Sequence, residues 1–130
     1  MASDPVTQAA ELAQIFFDLS NAVDDFRLRN FGSLSHAQQQ QLKEEAQALA
    51  TRGQQFTAAA LGAILARVQP HLQNIKRATQ DAQDALARLN DVAKAIAIVD
   101  AAVALAGAVM TGNLDAIGDQ AQGLFQAVTG

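Results

Sequence analysis

The sequence contains no Cys, no Trp and no Tyr, and only two Pro in 130 residues. Without Cys there is no disulfide scaffold and no Cys-based metal or redox centre. With few helix breakers, and with Ala, Gln and Leu abundant, the composition favours helix strongly over strand. The length suits one helical domain, residues 1–130. Half of the residues are hydrophobic, but the chain has 29 Ala, and Ala adds little area per residue to a core. The expected core is therefore thin.

Basic charge is scarce as well. Nine Lys and Arg stand against 13 Asp and Glu, a net charge of −4, and the longest basic run is the pair Lys76-Arg77. A phosphate backbone calls for a clustered cationic face, preferably with aromatic platforms. Here the six Phe fall mostly at positions that read as core, so no nucleic-acid partner is expected. After Lys94 there is no Lys or Arg at all, only Asp100, Asp115 and Asp119.

The chemistry of catalysis is missing too. His36 and His71 lie in different segments, neither with a carboxylate or second His at ligand spacing. No zincin, di-iron or calcium-loop pattern is present, so no metal and no cofactor are expected. The adjacent acids Asp24-Asp25 and Glu44-Glu45 point about 100° apart on a helix and read as a solvated face near Arg27, Arg29 and Lys43. Ser and Thr have no base arranged around them, and the scattered Gly form no phosphate cradle. No catalytic residue is named, and an enzyme is not expected. The N-terminus, Met1-Ala2-Ser3-Asp4-Pro5, lacks a basic and apolar leader. A cytoplasmic address is the default expectation; the lack of Cys is equally compatible with export that uses no cleaved signal.

What is present is helical periodicity. Asp4 as N-cap with Pro5 at the first position starts a helix, and Leu12, Phe16, Leu19, Val23 and Phe26 recur at helical spacing along it. Ser35 and Gln38 form a capping box for a second helix, whose stripe runs Leu42, Ala46, Leu49, Gly53, Phe56, Ala60 and Ile64. Its phase passes through Gly53 without a slip, so a continuous helix is expected there, with a neighbouring backbone close to the Gly. Pro70 marks a turn or kink. Beyond it Leu72, Ile75, Thr79, Ala82, Leu86, Leu89, Ala93 and Ile96 make a heptad-like seam, and Asp84 and Arg88 are spaced for i,i+4 support.

From Ala95 to Met110 a single charge, Asp100, interrupts an otherwise apolar run. Thr111-Gly112-Asn113 stops this helix. Leu114, Ile117, Ala121, Leu124 and Val128 then form a last amphipathic stretch. The expectation is an all-α, elongated, mostly antiparallel four-helix bundle, with helices near 4–30, 35–68, 70–111 and 114–128. It has an amphipathic part, 4–94, a long third helix and an apolar C-terminal hairpin, 95–128. Expected core positions are Leu12, Phe16, Leu19, Val23, Phe26, Leu42, Leu49, Phe56, Ile64, Leu72, Ile75, Leu86, Leu89, Ile96, Val103, Leu114, Ile117 and Leu124.

The apolar segment carries the functional reading. Its 16 residues rise about 24 Å, short of a hydrocarbon core of roughly 30 Å, and Asp100 adds about 3 kcal/mol to insertion. A permanent membrane span is therefore disfavoured. Rows of small residues, Ala93, Ala97 and Ala101 with Ala104 and Ala108, and Gly107 with Thr111, suit close helix contact. The expected function is a non-catalytic interaction module, a homo-oligomer or a binder of a partner helix, acting through Ile96, Ile98, Val99, Asp100, Val103, Leu105, Gly107, Val109 and Met110. Val103→Asp should break such an assembly and a change at Gln39 should not. In layout, residues 71 to 128 resemble the plan of all-α pore-forming toxins. That resemblance implies an alternative, a membrane-active protein whose C-terminal hairpin enters a bilayer under control of Asp100, a carboxylate expected to be buried among Ile and Val.

Overall fold

A computed structural model describes residues 5–57, 61–62 and 64–129, and among them the chain is helical with no strand. The helices are α1 (Pro5–Arg29), α2 (His36–Gln55), α3 (Ile64–Val68), α4 (Leu72–Arg88), α5 (Val92–Thr111) and α6 (Leu114–Thr129). The five long helices pack in a closed cycle, α1 on α2, α2 on α5, α5 on α6, α6 on α4 and α4 back on α1.

The start and stop signals explain most of these boundaries. Ser35 accepts from the Gln38 amide at 3.1 Å while Gln38 Oε1 accepts from the Ser35 amide at 2.9 Å, so the capping box forms in full. Gly112 ends α5 with φ at 67°, a left-handed conformation that favours Gly. Asn113 Oδ1 then accepts from the Ala116 amide at 3.1 Å and opens α6. Pro70 sits in a single 3₁₀ turn, Gln69–His71, between α3 and α4. The Asp4 cap and the Ala60 seam position lie outside the described residues.

Two expected helices are divided. The second passes through Gly53 but ends at Gln55, with Phe56 as its cap. Gly53 is nevertheless on a close contact: a Cβ there would stand 2.8 Å from Phe17 Cε1 and 3.2 Å from the Ala13 carbonyl oxygen. The long third helix is broken at Leu89-Asn90-Asp91. Leu89 turns extended (ψ 146°) and Asp91 becomes a new N-cap, accepting from the Lys94 amide at 3.1 Å. Arg29 of α1 reaches across to this break, donating to the carbonyls of Leu86 at 2.7 Å and Leu89 at 2.9 Å. A cation at a helix C-terminus satisfies orphan carbonyls and complements the dipole.

The break resets the helical phase, and the core follows it. Ile98, Val99, Leu105 and Val109 are buried, whereas Ile96 and Val103, which continue the phase of the α4 seam, are only half-buried. Leu89 and Ile64 are half-buried too, and Leu114 is exposed. The other expected core positions are buried. One contiguous cluster joins all six helices, with Phe16 and Phe56 in tilted contact at 5.3 Å between ring centroids. The thin core expected from so much Ala is thus filled by large side chains from α1 and α2, with Ala78, Ala82, Ala95, Ala102 and Ala106 letting helices approach closely.

Helix direction is mixed. Ser20 donates to the Ala46 carbonyl at 2.7 Å and Ala13 lies against Gly53, so α1 and α2 run in opposite senses. Lys76 bonds Glu11 at 2.9 Å near one end and Arg29 bonds Leu86 near the other, so α1 and α4 run in the same sense.

Candidate functional site

Helix α5 has few polar side chains, so polarity alone cannot orient it. Its larger side chains Ile98, Val99, Leu105 and Val109 turn inward with Ala95, Ala102, Ala106 and Ala108. Its outer face carries Ala93, Ala97, Asp100, Ala104 and Thr111, all exposed, flanked by half-buried Ile96, Ala101, Val103, Gly107 and Met110. Burial of the larger groups removes more apolar area from water per residue, but Ile96, Val103 and Met110 stay half-buried, so packing against the neighbouring helices decides the orientation.

Of the nine residues expected to form the interaction segment, five lie on or beside this face: Ile96, Asp100, Val103, Gly107 and Met110. The other four, Ile98, Val99, Leu105 and Val109, are core and have no surface to offer a partner. Exposed Ala93, Ala97, Ala104 and Thr111 complete the face. Their signal was the spacing of small residues, which marked the face more truly than the large apolar ones did.

Asp100 is exposed on this outer face and is not buried among Ile and Val. On α2, Glu45 is half-buried and its buried Oε1 has no hydrogen-bond partner; Asp100 is the carboxylate that acts on it. Desolvation by burial and then Asp100 push the Glu45 carboxyl from its usual 4.5 up to about 7, against a smaller opposing effect of Gln41. The adjacent acids Glu44-Glu45 are therefore not a uniformly solvated pair. Glu44 stays at the surface, accepting from Gln40 at 3.2 Å, while Glu45 is half-buried.

The other candidates are ordinary surface features. Asp24 pairs with Arg27 at 3.4 Å. Arg88 Nε donates to the Asp84 backbone carbonyl at 3.1 Å instead of its carboxylate. Gln39, expected to be a neutral surface position, is half-buried and its Nε2 donates to the Phe31 carbonyl at 3.2 Å. An open groove of about 340 Å³ between α1 and α4 is lined by Asp18, Asn21, Asp25, Arg29 and Asp84 among others. His71 borders a smaller cavity of about 170 Å³ beside Phe125. Among the described residues no cluster of three or more His, Cys, Asp or Glu could hold a metal ion.

In length α5 exceeds the apolar run within it, with 20 residues against 16. It rises about 30 Å, which corrects the shortfall expected for a membrane span. Among the described residues it is the single helix long and apolar enough to cross a membrane, and 44% of its most apolar stretch is buried inside the fold. Comparison with known proteins gives no match to any family, curated protein or solved structure.

Proposed function

We propose that this chain is a non-catalytic helical interaction module that pairs with a second copy of itself through the outer face of α5. The observation that carries the reading is the row Ala93, Ala97, Asp100, Ala104, Gly107 and Thr111, exposed or half-exposed along one helix. Small residues in such a row let two backbones approach closely. The spacing is also symmetric about position 102, so an antiparallel two-fold contact sets Ala93 against Thr111, Ala97 against Gly107 and Asp100 against Ala104. An isologous interface requires this self-complementarity. Ile96, Val103 and Met110 border the row along one side and supply apolar area there. In that arrangement the two Asp100 side chains stand about 6 Å apart along the helix axis.

Sedimentation over a wide concentration range tests the reading. A concentration-dependent dimer supports it, and Val103→Asp is expected to shift the dimer toward monomer. A wild-type protein that stays monomeric throughout overturns self-association and leaves a heterologous partner helix as the occupant of the face.

A second reading is favoured by the length of α5 and the absence of Lys and Arg after Lys94. In it the α5–α6 hairpin leaves the bundle and enters a bilayer, with Asp100 neutralised on entry. Liposomes release dye more at mildly acidic pH under this reading, and Asp100→Asn enhances the release. If the protein neither floats with liposomes nor releases dye under these conditions, this reading is removed.

A further inference from the structure

The connection between α4 and α5 is held by groups that a continuous helix would not need. Leu89 and Asp91 already have helical φ, −75° and −79°, and leave the helix only in ψ, at 146° and 106°. Arg29 donates to the carbonyls of Leu86 at 2.7 Å and Leu89 at 2.9 Å. In one unbroken helix those two carbonyls would accept from the amides of Asn90 and Ala93, four residues on. Asp91 Oδ1 accepts from the Lys94 amide at 3.1 Å, an amide that would otherwise donate to the Asn90 carbonyl. Each contact that fixes the break thus has a replacement inside a continuous helix. The joint contains neither Pro nor Gly, and Asn90 and Asp91 are exposed. Across it Leu86, Leu89, Ala93 and Ile96 keep the three-four spacing of one helix face.

We propose that Leu89-Asn90-Asp91 is a hinge through which two copies of the chain exchange their α5–α6 hairpins. On opening, α4 and α5 of each copy fuse into one helix from Leu72 to Thr111, and the hairpin docks on α2 and α4 of the second copy. The fold itself fixes the occupant: the packing of α5 on α2 and of α6 on α4 is made again between chains, with the same residues buried. Exchange of an identical element is a low-cost route to a dimer. Because only the joint differs between the two forms, Arg29 and Asp91 set the balance between them. The exchange does not use the outer face of α5 and goes beyond the pairing proposed above.

The two forms differ most in the distance between the ends of this segment. In the closed chain α5 turns back along α4: Ile64, ahead of α4, lies against Gly112 at the end of α5, where a Cβ would stand 3.0 Å from it. Gln73 and Thr111, both exposed, are therefore near the same end. In a fused helix they stand 38 positions apart on one rod, about 57 Å.

Double electron–electron resonance between spin labels on Gln73→Cys and Thr111→Cys tests the exchange, since the chain has no other Cys. Labelled chains are refolded from urea at high concentration in an excess of unlabelled chains, so that only within-chain distances are read. The otherwise wild-type chain is expected to give mainly the short distance. Arg29→Ala combined with Asp91→Ala is expected to raise the long-distance population about tenfold, in the dimer fraction alone. A dimer fraction that shows only the short distance, or the lack of any dimer fraction, overturns the exchange. If circular dichroism shows that the double variant does not fold, Asp91→Ala alone keeps the Arg29 contacts and carries the same test, with a rise of about threefold. Adding Asn90→Pro to either variant removes the amide that the Leu86 carbonyl would need in a fused helix, and is expected to abolish the long distance; its persistence overturns the fused helix. The face-to-face dimer proposed above leaves the within-chain distance short, so the two dimers are told apart.

Discussion

The hairpin α1–α2 and the helix α5 solve the same problem in different ways. On α1 the apolar residues Leu12, Phe16, Leu19, Val23 and Phe26 occupy one stripe and are all buried, while acids and arginines take the other side. On α5 nearly every residue is apolar: Ile98, Val99, Leu105 and Val109 go in with Ala95, Ala102, Ala106 and Ala108, and Ala93, Ala97 and Ala104 stay out beside half-buried Ile96, Val103 and Met110. An amphipathic stripe announces its own orientation, because placing charges inward is costly. A helix apolar on all sides leaves orientation to packing against its neighbours. The consequence is an outer surface on α5 that is apolar but fine-grained, unlike the charged outer surface of α1.

Substitutions at matched positions sharpen this contrast. Phe16→Ala is expected to have the largest effect, about 3–5 kcal/mol lost in urea unfolding, because the ring is fully buried and touches Phe56. Leu105→Ala on the inward side of α5 should cost about 2–5 kcal/mol by the same mechanism. Val103→Asp, two residues earlier but half-buried, should cost the fold about 1 kcal/mol and weaken the dimer by about 2 kcal/mol, roughly 30-fold. If Val103→Asp unfolds the chain as severely as Leu105→Ala, the division of α5 into inward and outward sides is wrong. Gln73, exposed on α4, replaces Gln39 as the control, and Gln73→Ala should change neither stability nor assembly.

Smaller effects test the joints between the two regions. Removing the Arg29 guanidinium by Arg29→Ala frees the carbonyls of Leu86 and Leu89 and should cost about 1.5–3 kcal/mol. Gly53→Ala should destabilise by about 1 kcal/mol even though Ala is the better helix former, because its Cβ would crowd Phe17 and the Ala13 carbonyl. Equilibrium unfolding decides both. A stabilising Gly53→Ala would mean that Phe17 moves aside freely.

The break between α4 and α5 shows where local signals reach their limit. Leu72, Ile75, Leu86 and Leu89 continue in phase into Ile96 and Val103, and that regularity argued for one helix. Yet Asn90-Asp91 contained the interruption, since Asp91 is a good N-cap three residues before Lys94. Periodicity and capping pointed to different structures. Contacts remote in sequence favoured the cap, with Arg29 satisfying the carbonyls that a broken α4 exposes. The outward residues of α5 were legible only in part for the same reason: once α5 starts afresh at Asp91, its phase no longer follows from α4.

From the sequence by itself came the helical class, the capping box at Ser35, the turns at Pro70 and Gly112, and the buried stripe of α1. Each depends on residues within a few turns of one another, where spacing and capping chemistry suffice. The tertiary structure alone decided which side of α5 faces out and where the expected long third helix divides. Those outcomes depend on residues 57 and 60 positions apart, Arg29 with Leu86 and Arg29 with Leu89. No local pattern specifies such a meeting, because it is the packing of whole helices that brings the groups to one contact.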